Sequence, residues 1–338
     1  MIPTLDAAGY LADPDGLDGR RFVEELRDVV HEVGFFLLVG HGLSNDVPLE
    51  LHRLARRFFD LPEADRLAIE NVRSPQFRGY TRHGHERTNG KVDQRDQIDI
   101  GREQPDRWPG PDEPSWLRLR GPNLWPPALP QLRPAVEAYM VALESLGQRL
   151  LGAMAEALGL PRDHFAAAVS PPEVLLKVIR YTGVSGDDGG HDELGQGVGA
   201  HRDTGFLTFV HQHEIGGLQV ERAGELVDVP VVEDALVVNI GEMFQLVTNG
   251  YFRATVHRVV SPPPGVERIS LAYFFNPKLE ATLAPVTLPP ELAAHAPGGE
   301  SADPNNPILA NYGDNSLKVR LRAHPDVAER HHADLLTG

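Results

Sequence analysis

His201-Arg-Asp203 sets an imidazole and a carboxylate two residues apart in Gly-Val-Gly-Ala-His-Arg-Asp-Thr-Gly-Phe-Leu-Thr-Phe. The stretch reads as a strand running into a turn, and side chains at i and i+2 of a strand share a face. Such a pair can hold one divalent cation, with His257 in Ala-Thr-Val-His-Arg-Val-Val as the third ligand. Two imidazoles and one carboxylate, with further positions open, form the donor set of non-haem Fe(II) centres. Taken alone, a His-x-Asp pair reads as a polar patch on a strand; its company decides the matter. Arg268-Ile-Ser270 opens the strand Arg-Ile-Ser-Leu-Ala-Tyr-Phe-Phe-Asn-Pro and puts a guanidinium and a hydroxyl on one face. An Arg fork grips a carboxylate through two parallel N–H···O bonds, to which a Ser hydroxyl adds another. An Arg facing into a barrel is costly to bury without an anion, so the site asks for a carboxylate on its substrate or cosubstrate. The competing reading is an ion pair between Arg268 and one of the chain's 48 acidic residues.

The elements that must position these groups follow from the pattern. At 338 residues, 41% hydrophobic and 24% charged, the chain has the composition of a soluble globular protein with a sizeable core. The net charge of −16 argues against a nucleic-acid partner, which needs a basic surface. The absence of cysteine excludes a disulfide scaffold, a thiolate metal site and a Cys nucleophile. No signal peptide is evident, and no apolar run approaches the ~20 residues that span a bilayer, so a cytoplasmic enzyme with no membrane partner is expected. The Ala-, Leu-, Arg- and Pro-rich composition suggests specialised metabolism in a high-GC bacterium. Oligomeric state is not readable.

Residues 1–45 read as strand, helix, strand, with Phe22, Val23, Leu26, Val29, Val30 and Val33 at helical spacing. A second amphipathic helix over 48–60 ends at Asp60-Leu61-Pro62. Residues 72–128, rich in proline, read as ordered loop. Residues 130–159 form a long helix whose apolar stripe packs on a sheet. From residue 172 the rhythm changes to short strands: Val174–Tyr181, Val198–Asp203, Phe206–Gln212, Leu218–Glu221, Leu226–Val229, Ala235–Ile240, Ala254–Val260 and Arg268–Phe275. Eight short strands with Gly and Pro punctuation predict a mainly β fold with α additions, a double-sheet jelly roll backed by the long helix. The Gly-rich acidic insert Gly183–Gly197 is expected as a mobile loop beside the site. His41 in its Gly-His-Gly turn reads as structural. His211 and His213 read as a polar strand end, and His331-His332 as a solvated tail. Arg78, Tyr80 and Arg180 are candidate substrate contacts, because an Arg at a barrel mouth suits an acidic or amino-acid-like substrate. Phe206 and Phe275 fall near the metal strands as pocket candidates, with core packing the competing role.

With these residues in place, the chain resembles the isopenicillin N synthase-like family of Fe(II)/2-oxoglutarate-dependent dioxygenases. Gly34-Phe35-Phe36 running to His41-Gly42, Phe58-Phe59-Asp60-Leu61-Pro62, Arg78-Gly79-Tyr80, Asp99-Ile100-Gly101 and Pro122-Asn123-Leu124-Trp125-Pro126 match its N-terminal segments. His201-Arg-Asp203, Gly216 to Val220, Asn239-Ile240-Gly241-Glu242, Thr248-Asn249-Gly250, His257-Arg258-Val259 and Arg268-Ile-Ser270 follow its order. Arg180-Tyr181 runs into Thr182-Gly183 where the family often has proline. The resemblance implies one oxygenase domain over 1–338: a mostly helical region to 171, a distorted double-stranded β-helix over 172–280, and a C-terminal segment over 281–338. It implies that 2-oxoglutarate chelates Fe(II) at His201, Asp203 and His257, with O2 taking an open position. The distal carboxylate of 2-oxoglutarate would lie on Arg268, Ser270 and Tyr181, and a small molecule would be oxidised by hydroxylation, desaturation or cyclisation, with succinate and CO2 formed. A 2-oxoglutarate-independent Fe(II) oxidase of the isopenicillin N synthase type carries the same residues and stays open here. A jelly-roll sensor without catalysis is opposed by the intact set, and zinc hydrolysis by the lack of a nearby Glu base.

Overall fold

The computed structural model describes residues 1–183, 196–299 and 307–336. The expected mobile insert Gly183–Gly197 lies, apart from its ends, outside the described residues. The N-terminal part runs β1 (Thr4–Asp6), α1 (Ala8–Ala12), α2 (Leu17–Glu32), β2 (Phe35–Val39), α3 (Asp46–Phe59) and α4 (Glu63–Leu67). It continues through β3 (Gly79–Thr81), the hairpin β4 (Arg87–Thr88) and β5 (Lys91–Val92), β6 (Arg95–Gly101) and the 26-residue helix α5 (Leu132–Ala157). The middle holds β7 (Glu173–Thr182), β8 (Gln196–His201), β9 (Leu207–Gln212), β10 (Leu218–Arg222), β11 (Glu225–Asp228) and β12 (Leu236–Ile240). Then come α6 (Glu242–Val247), β13 (His257–Val260), β14 (Glu267–Asn276), α7 (Pro290–Ala293), α8 (Tyr312–Ala323) and α9 (Pro325–His331). All eight strands expected after residue 172 are present, each displaced by at most three residues at an end.

The strands form an eight-stranded sheet in the order β1-β2-β12-β9-β14-β7-β6-β3 and a four-stranded sheet in the order β11-β10-β13-β8. One face of the large sheet is covered by α2, α3 and α5, with Phe22, Leu26, Phe58, Leu143 and Phe275 buried between them. The close seat of α5 depends on Gly147, where a Cβ would come within 2.8 Å of the Phe275 ring. The other face meets the small sheet across a second apolar cluster that includes Ile179, Val198, Leu218, Val220 and Val259. Two facing sheets backed by a long helix are the jelly-roll architecture. Among the described residues no helix is long and apolar enough to cross a membrane.

Three expectations are corrected. Residues 72–128 are not all loop: β3 and β6 extend the large sheet, so a region read as mostly helical supplies four of its eight strands. The sequence Arg95-Asp-Gln-Ile-Asp-Ile-Gly hid β6 because every residue of it is buried although four are polar, their charges being met by partners on other elements. The tail is not a solvated end, since His332 is fully buried, stacks on Phe77 with ring centroids 5.0 Å apart, and binds the Pro75 carbonyl through Nε2 at 2.8 Å. Finally, β8 stops at His201, so Asp203 sits in the turn beyond the strand and not on its face.

Candidate active site

The three candidate ligands come together although only two are close in sequence. In the irregular β8–β13 ladder His257 lies directly opposite His201. The turn after β8 folds Asp203 between them, and donor atoms of all three lie within 4.8 Å of one another. Asp203 Oδ1 is 3.5 Å from His201 Nε2 and 3.6 Å from His257 Nε2. Each imidazole is fixed from behind: His201 Nδ1 contacts the Gly199 carbonyl at 2.8 Å and His257 Nδ1 the Thr255 carbonyl at 3.1 Å. An Nδ1–H donated to a carbonyl leaves Nε2 with its lone pair, the tautomer a metal needs. Asp203 Oδ2 accepts from Thr208 Oγ1 at 2.5 Å and Asn239 Nδ2 at 2.7 Å, which frees Oδ1 to face the imidazoles. Burial alone would raise the Asp203 carboxyl, but His257, His201 and Asn239 hold it well below the usual carboxylate range. Burial, with His201 adding to it, pushes His257 down to about 4. Against the pull of burial, Asp203 and the Gly199 carbonyl raise His201, so a cation at this site would displace a proton from it. The two Nε2 atoms and the ionised oxygen converge as a donor set that fits Fe(II).

Backbone contacts hold the Asp203 turn. Glu242 N–H donates to the Asp203 carbonyl at 2.7 Å and Met243 N–H to the Thr204 carbonyl at 3.0 Å. Gly241 is required, because a Cβ there would stand 2.2 Å from the Gly205 oxygen. Replacing Thr208 with Val should lower Fe(II) affinity about tenfold, the scale on which partners behind metal ligands act. Anaerobic Fe(II) titration measures it, and an unchanged affinity would show that Asn239 alone orients the carboxylate.

Arg268, Ser270 and Tyr181 also meet. Arg268 is 1% exposed, and its guanidinium lies 4.8 Å from the Tyr181 ring centre. Its Nε donates to the Ile215 carbonyl (3.3 Å), Nη1 to Ser270 Oγ (3.3 Å) and Nη2 to Gln212 Oε1 (3.2 Å). Burial pushes its pKa down, and among the described residues no carboxylate lies within ion-pair distance of it. The competing expectation of a structural ion pair for Arg268 is therefore not what the structure has. The triad and Arg268 line one cavity of about 710 Å³ between the two sheets.

Two family models match the sequence: a non-haem dioxygenase N-terminal domain over residues 2–128 and the 2OG-Fe(II) oxygenase superfamily over residues 175–277. A 2-oxoglutarate-dependent dioxygenase, frbJ, from Dothideomycetidae sp. is 33% identical over 91% of this chain and 86% of its own. The chain belongs to the Fe(II)/2-oxoglutarate-dependent dioxygenases. A homoarginine-6-hydroxylase of Oryza sativa is 31% identical over 84% of this chain and 88% of its own. A solved 2OG-Fe(II) oxygenase family protein of Caulobacter crescentus superposes with a TM-score of 0.74 at 28% identity, covering 95% of this chain and 98% of that one. The enzyme is an oxidoreductase that uses Fe(II) and 2-oxoglutarate, and the relatives' dependence on 2-oxoglutarate sides with that reading over the oxidase alternative.

The substrate-side candidates of the sequence reading do not reach the dioxygenase's cavity. Strand alternation turns Arg180 away from Tyr181, and its Nε and Nη2 grip Asp96 at 2.9 and 2.7 Å. Tyr80 donates its hydroxyl to the same Asp96 at 2.9 Å. Arg78 is buried over Gly101 and reaches Glu173 at 3.4 Å. Phe206 packs on Phe244 with centroids 4.8 Å apart, and Phe275 faces α5 while Phe274 faces the cavity. Core packing won at both. His41 is structural as expected, binding the Asp234 carbonyl and the Leu43 N–H.

The sequence reading missed the charged wall of the cavity. Lys177 contacts Glu86 (2.7 Å) and Asp99 (3.5 Å), Arg95 contacts Glu86 (3.0 Å) and Asp93 (3.1 Å), and Arg320 of α8 contacts Asp99 (2.8 Å). One signal was available: Lys177 interrupts an apolar strand at the same parity as Ile179 and Tyr181. Helix α8 gave none. Its Tyr312, Ser316, Val319 and Arg320 line the cavity from a tail without a motif, well beyond His257 in sequence.

Proposed function

We propose that His201, Asp203 and His257 hold Fe(II), that Arg268, Ser270 and Tyr181 hold the distal carboxylate of 2-oxoglutarate, and that a small polar substrate of the amino-acid class binds under α8. The observation that carries this reading is one cavity containing three convergent metal donors and a buried guanidinium with no acid beside it among the described residues. When bound, Fe(II) with 2-oxoglutarate and O2 supplies the oxidation, 2-oxoglutarate leaving as succinate and CO2. The chain's own residues orient and shield. The carbonyls of Gly199 and Thr255 lock both imidazoles, and Thr208 and Asn239 aim the carboxylate. Ile179, Val210, Val259, Ala272 and Phe274 make the middle of the cavity apolar and keep water from the reacting bond.

The cavity wall carries both signs of charge, Glu86 paired with Lys177 at 2.7 Å and Glu173 and Arg320 lining the same cavity. A wall of mixed sign suits a substrate that itself bears a cation and an anion. Likeness to homoarginine-6-hydroxylases supports the same class. Residues 1–338 act in this reading as one oxygenase unit in the cytoplasm, in specialised metabolism, without nucleic-acid or membrane partners. Succinate release should rise at least tenfold over the substrate-free rate with one or more of arginine, homoarginine, lysine or ornithine, a discrimination within reach of one or two buried polar contacts. Stimulation by uncharged heterocycles alone would discard the amino-acid class and leave the iron and cosubstrate assignments standing.

A further inference from the structure

Arg268 has five N–H groups; among the described residues one each from Nε, Nη1 and Nη2 goes to Ile215, Ser270 and Gln212, and the Tyr181 side chain is a further hydrogen-bond neighbour. At least one N–H of the guanidinium is thus left for a ligand, and a carboxylate is the acceptor it would bind most strongly. All three acceptors are neutral: a carbonyl, a hydroxyl and an amide. Of these, Gln212 is the one whose side chain could have carried a charge. It is 5% exposed and pairs across the ladder with Ser270, on the strand face that also presents Thr208 and Val210 to the cavity. Its amide orientation is set by Arg268, because turning it over would oppose two donors. That choice leaves Gln212 Nε2 buried with no partner among the described residues, a state that costs free energy unless a ligand accepts from it.

We propose that Gln212 is the positioning residue of the cosubstrate cradle: its neutral amide holds the Arg268 guanidinium in place without neutralising it, so that the site stays dependent on a dicarboxylate ligand. A glutamate of the same shape would hold Arg268 equally well and fill the role of the ligand. The flanking His211 and His213 face the other side of the strand, toward His52, so the cradle depends on the middle residue of the His-Gln-His run. The inference rests on the assignment of Arg268 to 2-oxoglutarate.

The test measures 2-oxoglutarate and glutarate binding by calorimetry, anaerobically, on full-length protein carrying Zn(II) in place of iron, so that no turnover is needed. Gln212→Glu should weaken 2-oxoglutarate about 100-fold, since the ligand must displace a buried ion pair. Gln212→Met should weaken it about tenfold through loss of one hydrogen bond to a charged group. Zn(II) affinity should hold within threefold in both, and KM for 2-oxoglutarate should rise in the iron enzyme with kcat at saturation nearly kept. If both variants bind 2-oxoglutarate within threefold of the parent while Arg268→Gln does not, Gln212 has no such role. If Arg268→Gln also binds normally, the assignment of Arg268 fails and takes this inference with it. Gln212→Glu keeps the side-chain volume and the Arg268 contact, so a folding defect confined to Gln212→Met leaves the test decisive.

Discussion

An Asp203→Ala protein is expected to fold, to lose Fe(II) binding, and to release no detectable succinate. Asp203 Oδ1 is the only ionised donor among the three, and both imidazoles point their Nε2 atoms at it. Two neutral nitrogens cannot replace a carboxylate for a divalent cation with a preference for mixed oxygen and nitrogen donors. The loss should exceed the roughly 10- to 100-fold that removal of a supporting hydrogen bond costs, and so exceed the Thr208→Val effect. Folding should survive because the groups left behind, Thr208 and Asn239, are neutral, each costing about 1–3 kcal/mol at most when unpartnered. Anaerobic Fe(II) titration, followed by 2-oxoglutarate with visible absorption, reads the result. Normal iron affinity in this variant would place the metal elsewhere and discard the triad.

The second large effect lies outside the triad. Asp99→Ala should destabilise the protein by about 3–5 kcal/mol, the cost of leaving buried cations short of their partner. Asp99 is fully buried on β6, accepts from Gln97 at 2.7 Å and Arg320 at 2.8 Å, and stands 3.5 Å from Lys177. The loss should fall partly back in Asp99→Ala/Arg320→Leu, which removes the orphaned guanidinium as well. Equilibrium unfolding in urea measures both, and a single-variant loss below about 1 kcal/mol would mean that Glu86 alone satisfies the network. Arg320→Leu by itself should loosen α8 and raise the KM for substrate while leaving Fe(II) affinity unchanged. A parallel fall in iron affinity would tie α8 to the metal side of the cavity.

Particular residues explain what could be read before the structure was known. The strands after residue 172 were visible because alternation and turn residues are local, and the helical stripe of α5 because 3.6-residue periodicity is local too. His201, Asp203, His257, Arg268 and Ser270 were found through spacing, and the ladder pairing of His201 with His257 supplied the geometry that spacing could not. The substrate side failed for a definite reason. The chemistry of Arg78, Tyr80 and Arg180 suits a substrate, yet the face each presents depends on partners far along the chain, Glu173 and Asp96 among them. Lys177, Glu86 and Arg320 escaped because a buried charge is intelligible only beside its counter-charge, and these come from β7, the segment before β4, and α8. Gln212 was overshadowed by its two histidine neighbours.

The Arg320–Asp99 contact joins residues 221 positions apart, and this has a consequence for synthesis. A ribosome delivers β6 before α8, so His201, Asp203 and His257 leave the exit tunnel before the helix that lines their cavity. Only when α8 arrives does Asp99 gain Arg320 and the cavity the wall that Tyr312, Ser316 and Val319 supply.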